Sequence, residues 1–311
     1  MNTTQAPTMI QFKRVTPEDR GVFEKYINDG TERGCEFSFA NMVLWGRQNF
    51  AVVDDHIVLF SQFDRRSVYP YPVGAGDAKG ALDAIIEDSR ARGIPCRITG
   101  VRPSQRQVLD ELYPNRFRFH CDEGSFDYVY DINDLADLKG KKYHSKRNHY
   151  KRFAEAYPEY TVRPITSDHL EAARQFVSDW YDTKQKEMPN GDYHMEKAAI
   201  DKAFRFFDEL RMEGIMIMNG DEVLALTMGS PMSESTFDVQ FEKARADVNG
   251  AYAAVNREFA NYIREKYPNV LFFDREEDMG LEGLRKAKRS YYPHHMIEKC
   301  WACLLEDGYD Y

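Results

Sequence analysis

The chain has 311 residues, a formal net charge of −9, and is 42% hydrophobic and 14% aromatic. That is enough apolar material for two cores, which excludes a disordered chain, and no apolar run approaches the roughly 20 residues of a bilayer-spanning helix. The start, MNTTQAPTMIQF, has neither a basic nor an apolar leader region, so no secretory signal is expected and a cytoplasmic protein follows.

Along the first half, the spacing predicts a helix over 17–28, then a hairpin of 50–53 and 57–61 around Asp54-Asp55. A further strand over 68–71 leads into a Gly-containing loop, Pro72-Val-Gly-Ala-Gly-Asp77. A helix over 78–92 carries Leu82, Ile85 and Ile86 on one face, and Gly93 with Pro95 stops it. A strand over 97–101 and a helix over 104–112 follow, and the alternation of Phe126, Tyr128 and Tyr130 reads as a last strand.

Then the character of the chain changes. From Lys139 to Arg152 seven of the fourteen residues are Lys or Arg, two more are His144 and His149, and none is acidic. Tyr143, Tyr150, Phe153 and Tyr157 recur at helical spacing, so the segment reads as a helix with one aromatic stripe and a basic remainder. A solvated helix mixes charge signs to gain i,i+4 pairs. This one does not, and a basic rod on an acidic body points to an anionic partner: RNA, a phosphorylated ligand or an anionic membrane face. The candidate contacts are Lys141, Lys142, Lys146, Arg147, Lys151 and Arg152.

The second half repeats the order of elements. A strand over 160–165 precedes helices over 168–186 and 195–211. Strands over 214–218 and 222–228 flank Asn219-Gly220-Asp221, a strong hairpin signal. A strand over 236–243, a helix over 251–266, a strand over 270–274, a helix over 281–290 and a closing strand over 296–305 complete it. Trp180, Tyr181, Phe204, Phe206 and Phe207 fall at core spacing on helices, and the acidic end 306–311 reads as a frayed tail. The expected division is 1–133 and 134–311.

No metal site is expected. The acids at 276–278 lack the spacing of a calcium loop, Cys300 and Cys303 have no second pair for zinc, and His294-His295 point apart on a strand. Five scattered cysteines make a disulfide framework unexpected, and packing cysteines are the favoured reading.

The chemistry concentrates in D-R-E-E-D-M-G-L-E-G-L-R-K-A-K-R-S-Y-Y-P, 274–293. Glu277 and Asp278 follow a strand at its carboxyl edge, where α/β sites gather, and Arg285 and Lys288 follow on a short basic helix. This motif, with the upstream G-K-K-x-x-S-K-R-N, resembles the DUF2156 family that includes the C-terminal domain of bacterial phosphatidylglycerol lysyltransferases, related to Fem-type aminoacyl transferases. The resemblance covers about 139–301. It implies an α+β fold of tandem acetyltransferase-like (GNAT-like) domains, mixed central sheets flanked by helices, and aminoacyl transfer from an aminoacyl-tRNA. On it Asp278, Arg285 and Lys288 line the second-half pocket, and the basic helix lies near the RNA or a lipid phosphate. No membrane-spanning half like that of the lysyltransferases is expected here, so the acceptor need not be a lipid.

The residues fit such chemistry. An aminoacyl ester is already activated and needs orientation, a proton acceptor and a stabilised oxyanion. Asp278 or Glu277 would hold an ammonium or accept a proton, Arg285 or Lys288 would neutralise a phosphate or alkoxide, and Tyr291 or Tyr292 would protonate the leaving ribose oxygen. No cofactor is required. One alternative is an acetyl-CoA-dependent N-acetyltransferase using Gly74 and Gly76, since Tyr71-Pro-Val-Gly-Ala-Gly76 resembles the Q/R-x-x-G-x-G/A pyrophosphate loop of acetyltransferases with Tyr at its first position. The matching loop of the second half, 244–250, has no Gly-x-Gly. The other alternative is a non-catalytic module that binds RNA or sits peripherally on the inner face of a membrane.

Overall fold

The computed structural model describes residues 9–27, 32–46, 48–63, 66–187 and 193–305. The acidic end at 306–311 lies outside them. The chain divides into two compact units, Met1–Phe126 with Ile297–Tyr311, and Asp127–Met296. No helix among the described residues is long and apolar enough to cross a membrane.

In the first unit β1 (Lys13–Arg14), α1 (Arg20–Ile27) and α2 (Phe39–Leu44) precede the meander β2 (Gln48–Val53), β3 (His56–Phe63) and β4 (Arg66–Pro70). Next come β5 (Val73–Gly74), α3 (Lys79–Arg92), β6 (Arg97–Val101), α4 (Pro103–Leu112) and β7 (Phe117–Cys121). The second unit runs β8 (Asp127–Asp131), α5 (Ile132–Asp137), the basic helix α6 (His144–Ala156), β9 (Thr161–Pro164), α7 (Leu170–Glu187) and α8 (His194–Arg205). It continues with β10 (Glu213–Asn219), β11 (Glu222–Pro231), β12 (Thr236–Ala244), α9 (Ala251–Lys266), β13 (Phe272–Asp274), α10 (Glu282–Arg289) and β14 (His295–Ile297); β15 (Cys300–Leu304) ends the described chain.

The two sheets have strand orders β1-β2-β3-β4-β6-β15-β7, with β5 on β3, and β14-β8-β13-β12-β11-β10-β9. Both are mixed, and helices flank them, as the sequence predicts. The division differs from a cut at 133. β8 is buried along most of its length, and it finds its cover in the second sheet, beside β13. The closing strand splits: β14 joins the second sheet, while β15 returns to the first and pairs with β6 and β7.

That return corrects the cysteine reading. Cys300 sits directly across from Cys121 in the β15–β7 register, and the two form a disulfide over 179 residues of sequence. No local spacing pattern could signal it, because only the topology brings those strands together. Cys303 is not part of the bridge.

The second unit closes around α9, whose Ala251, Ala254, Val255, Phe259, Ala260 and Ile263 form a buried stripe at helical spacing. Phe153 of α6 is fully buried against the same core. The two helices meet at Gly250, where φ is +83° and a Cβ would lie 2.3 Å from the His149 carbonyl oxygen. Only glycine suits that position, on both counts. The contact fixes α6 against the start of α9, and so fixes which of its cations face inward.

Candidate active site

β12 and β13 run parallel and pair only at Thr236–Phe272, Phe237–Phe273 and Asp238–Asp274. β13 ends there, whereas β12 continues to Ala244. Beyond that point β12 runs on without its parallel partner, and the region between the two carboxyl ends, called the wedge below, is where parallel strands present ligand sites.

Side chains from or directly after six elements converge on it. Glu242 comes from β12, and Arg275 is the first residue after β13. Arg275 Nη2 donates to Glu242 Oε1 at 3.0 Å, with the two side chains only 13% and 15% exposed. The guanidinium stacks 5.6 Å from the Tyr130 ring and 5.2 Å from the Tyr291 ring. Asn256 of α9, nearly fully buried, donates from Nδ2 to Glu242 Oε2 at 3.4 Å. Two buried atoms around this carboxylate have no hydrogen-bond partner among the described residues, Arg275 Nη1 and Asn256 Oδ1. Buried polar atoms are rarely left unmatched, and a ligand is one explanation for them.

Lys146 of α6 completes the group. Its Nζ lies 3.8 Å from the centre of the Tyr291 ring. Burial, together with the Arg275 charge, pulls its ammonium down to about 8 from the ordinary lysine range, against the pull of Glu242. It is thus the member of the basic helix aimed inward. Arg147 points back along the chain and donates to the carbonyls of Leu138 and Gly140. Lys142 pairs with Asp134 at 3.0 Å, and Lys151 with Glu155 at 3.6 Å. Lys141 and Arg152 are exposed.

The motif residues singled out from the sequence come together, but around the loop rather than in the wedge. Asp278 is fully buried and accepts from Tyr128 Oη at 2.7 Å, Gly280 N at 2.8 Å, Arg285 Nε at 2.7 Å and Arg285 Nη2 at 3.1 Å. Those donors, Arg285 first, hold its carboxyl at about 2 in spite of burial. Lys288 Nζ donates to the carbonyls of Arg275 (2.5 Å), Glu276 (3.0 Å) and Glu277 (2.5 Å). Tyr130 Oη in turn donates to the Lys288 carbonyl at 2.8 Å. Asp278, Arg285 and Lys288 form a clasp that fixes the backbone from which Arg275 projects, and Glu277 contributes its carbonyl to it. The tyrosine at the wedge is Tyr291, which is buried, whereas Tyr292 is 47% exposed and packs edge-on to Tyr143. Met279 follows the clasp at φ +54°, which costs an L-residue roughly 1–2 kcal/mol.

In the first unit, Gly74 pairs with His56 in the β5–β3 register, and a Cβ there would strike the Asp55 carbonyl oxygen at 2.3 Å. Its glycine is thus explained by strand packing. Gly76 has φ +86° and open space around it. The start of α3 is already attended by carboxylates: Asp77 accepts from Lys79 N at 2.9 Å, and Asp54 Oδ2 lies where a Cβ of Gly80 would fall.

Sequence reasoning passed over Glu242, Arg275 and Asn256. Their one signal was charge or amide in otherwise apolar surroundings: Glu242 in the strand V-Q-F-E-K-A, and Arg275 inside the acidic motif itself.

The profile of the family described as "Phosphatidylglycerol lysyltransferase, C-terminal" matches residues 28–303. A solved structure of a conserved protein of unknown function from Bacteroides thetaiotaomicron VPI-5482 is 38% identical, with a TM-score of 0.89 over 95% of this chain and all of that one. L-PGS from Bacillus licheniformis is 15% identical, with a TM-score of 0.67 over 94% of this chain and 93% of that one. The uncharacterized protein MYCGA3080 of Mycoplasmoides gallisepticum is 23% identical over 182 residues, which is 57% of this chain and about half, 56%, of that protein's length. The fold is the GNAT-like one of the Fem and acetyltransferase groups. With the family's profile spanning nearly the whole sequence, the chain belongs to the phosphatidylglycerol lysyltransferase C-terminal family.

Proposed function

We propose that the second unit catalyses aminoacyl transfer from an aminoacyl-tRNA to a hydroxyl or amine acceptor. The family and the fold are those of acyl-transferring enzymes. The observation that carries the finer reading is the buried Arg275–Glu242 pair beside Lys146 at the carboxyl ends of β12 and β13.

Each group has a task. Glu242, held by Arg275 and Asn256, receives the α-ammonium of the aminoacyl ester. Arg275 Nη1 donates to the ester carbonyl oxygen as negative charge builds on it. Neutral Lys146 takes the proton of the attacking hydroxyl or amine as the new acyl bond forms. When the ester bond breaks, the Lys146 ammonium returns that proton to the departing ribose oxygen, and the Tyr291 ring stabilises the cation in between. No prosthetic group enters this scheme. The family's name makes an anionic glycerophospholipid the first acceptor to test.

The test is transfer of label from tRNA charged with radioactive amino acids to lipid, peptide or polyamine acceptors. Label in an RNase-resistant product is expected. Transfer from acetyl-CoA, and from no aminoacyl-tRNA, would replace this reading with the N-acetyltransferase one.

The pH dependence follows from Lys146. The base form is the active one, so kcat/KM is expected to rise with pH and level off above about 8. A profile that falls over that range would remove Lys146 as the proton acceptor.

For the donor, the exposed side of α6 and the turn just before it supply the phosphate contacts. Reversing Lys141, Lys151 and Arg152 to Glu is expected to weaken tRNA binding and to flatten the plot of log K against log salt by about one unit per lost contact. Binding measured by filter retention across a salt series checks it; an unchanged slope would place the RNA elsewhere.

A further inference from the structure

Three charged side chains meet at the wedge, and they do not balance. Lys146 Nζ lies 3.8 Å from the centre of the Tyr291 ring, and the Arg275 guanidinium lies 5.2 Å from the centre of the same ring. Two cations thus share one aromatic ring. The carboxylate beside them is Glu242, whose Oε1 accepts from Arg275 and whose Oε2 accepts from Asn256. Among the acids of the described residues, Glu242 alone acts on Lys146, on Arg275 and on the Tyr130 and Tyr291 hydroxyls. Acids on the bordering elements are engaged elsewhere. Glu258 of α9 accepts from Tyr150 and Tyr160 and pairs with Arg257, and Asp278 accepts from Tyr128 and Arg285.

This imbalance limits what the wedge can hold. The inference rests on the transfer reading given above, in which the α-ammonium of the aminoacyl group meets Glu242 and its carbonyl oxygen meets Arg275. The α-carbon is bonded to both of those groups, so its side chain starts between them, beside Lys146. An ammonium or guanidinium on that side chain would add a further cation to a site that already has two, with Glu242 already committed to the α-ammonium. Charges removed from water are tolerated when they are paired, and like charges brought together discriminate strongly between partners. An uncharged side chain meets no such penalty.

We infer that the wedge selects an aminoacyl donor whose side chain carries no positive charge, and that it rejects lysyl and arginyl groups.

The experiment compares two stable analogues of the charged tRNA end, adenosine carrying norleucine or lysine through an amide at its 3′ position. Norleucine has the length of lysine without the ammonium, so the pair isolates the charge. Dissociation constants for the full chain are measured at neutral pH and fixed salt. The norleucyl analogue is expected to bind about tenfold or more tightly than the lysyl one. In Lys146→Met, used for binding alone, that ratio should shrink by about threefold or more, because one of the two cations is gone. A melting temperature at or above that of the parent shows that the variant folds. Transfer is followed in parallel with a single tRNA charged with either amino acid, so that the RNA contacts stay constant, and the norleucyl form should give the higher kcat/KM. Lysyl binding as tight as norleucyl, or a ratio that ignores Lys146, would overturn the inference and leave the transfer reaction standing. No binding of either analogue, with no transfer from either charged tRNA, would overturn the transfer reading and this inference with it.

Discussion

Replacing Lys146 by Met is expected to lower the transfer rate by about 10²–10⁴-fold, the range of a lost general base, and at the same time to raise stability at neutral pH. The two effects have one cause. Lys146 sits half-buried over Tyr291 and beside Arg275, with its ammonium pulled down to about 8. Below that pH the folded state carries a charge it disfavours, whereas the unfolded chain carries the same charge in water. The unfolded state therefore binds more protons between about 8 and the ordinary lysine value near 10.4, and stability rises with pH across that window. Methionine keeps the length of the stem without the charge. Discounted for screening at a partly exposed site, the gain is on the order of 1 kcal/mol below pH 8, and it vanishes above about 10.5. Initial rates and thermal melts of the same preparations, at neutral pH and above 10, check both parts. A variant that is inactive and also less stable at neutral pH would make Lys146 a structural residue rather than a catalytic one.

Asp278→Asn is expected to act in the other way, on the fold first and on activity through it. Oδ1 accepts from Gly280 and Arg285, and Oδ2 from Tyr128 and Arg285. Whichever way an asparagine turns, its NH2 group faces two donors. The change also removes the charge that Asp278 sets against Arg285. Breaking a fully buried pair costs roughly 3–5 kcal/mol; with the Arg285 side chain 29% exposed the loss should be about 2–3 kcal/mol, a drop in Tm of roughly 5–10 °C. The clasp fixes the backbone beneath Arg275, so transfer should fall together with stability. Acid should act in the same way on the native protein. The folded carboxyl at about 2 lies below its unfolded value near 3.9, so its contribution is present above pH 4 and is lost as pH falls through 2. That contribution is about 2–3 kcal/mol, and the variant should lack it. Melts of both proteins from pH 7 down to pH 3 decide the matter: curves that stay parallel and superimposed would mean that Asp278 stabilises nothing.

These two residues show where reading the chain succeeds and where it stops. The 274–293 motif and the basic run at 139–152 are both legible as sites of unusual charge, and both belong to the unit that holds the wedge. Their roles are not legible. Asp278, Arg285 and Lys288 read as catalytic because charge at a strand end is where chemistry gathers. In the structure, their charges are spent on one another and on three backbone carbonyls. Lys146 and Arg147 are neighbours in one basic run, yet one enters the wedge and the other caps the preceding loop. The helical period places them on different faces, but it does not say which face meets β12.

What the sequence determined by itself is what short-range physics controls. Hydrophobic periods set the order of helices and strands, Asn219-Gly220 set the β10–β11 hairpin, and Gly93 set the end of α3. The repeated order of elements, together with the family resemblance of the 274–293 motif, was enough to expect an α+β, acetyltransferase-like fold. The tertiary structure alone decided the rest. β15 returns to the first sheet and brings Cys300 to Cys121, and the short pairing of β12 with β13 places the wedge. Glu242, Asn256, Arg275 and Lys146 then converge there from separate elements. Such contacts depend on how the strands pair and which helix face is covered, and these are properties of the whole chain's packing that no local window of residues contains.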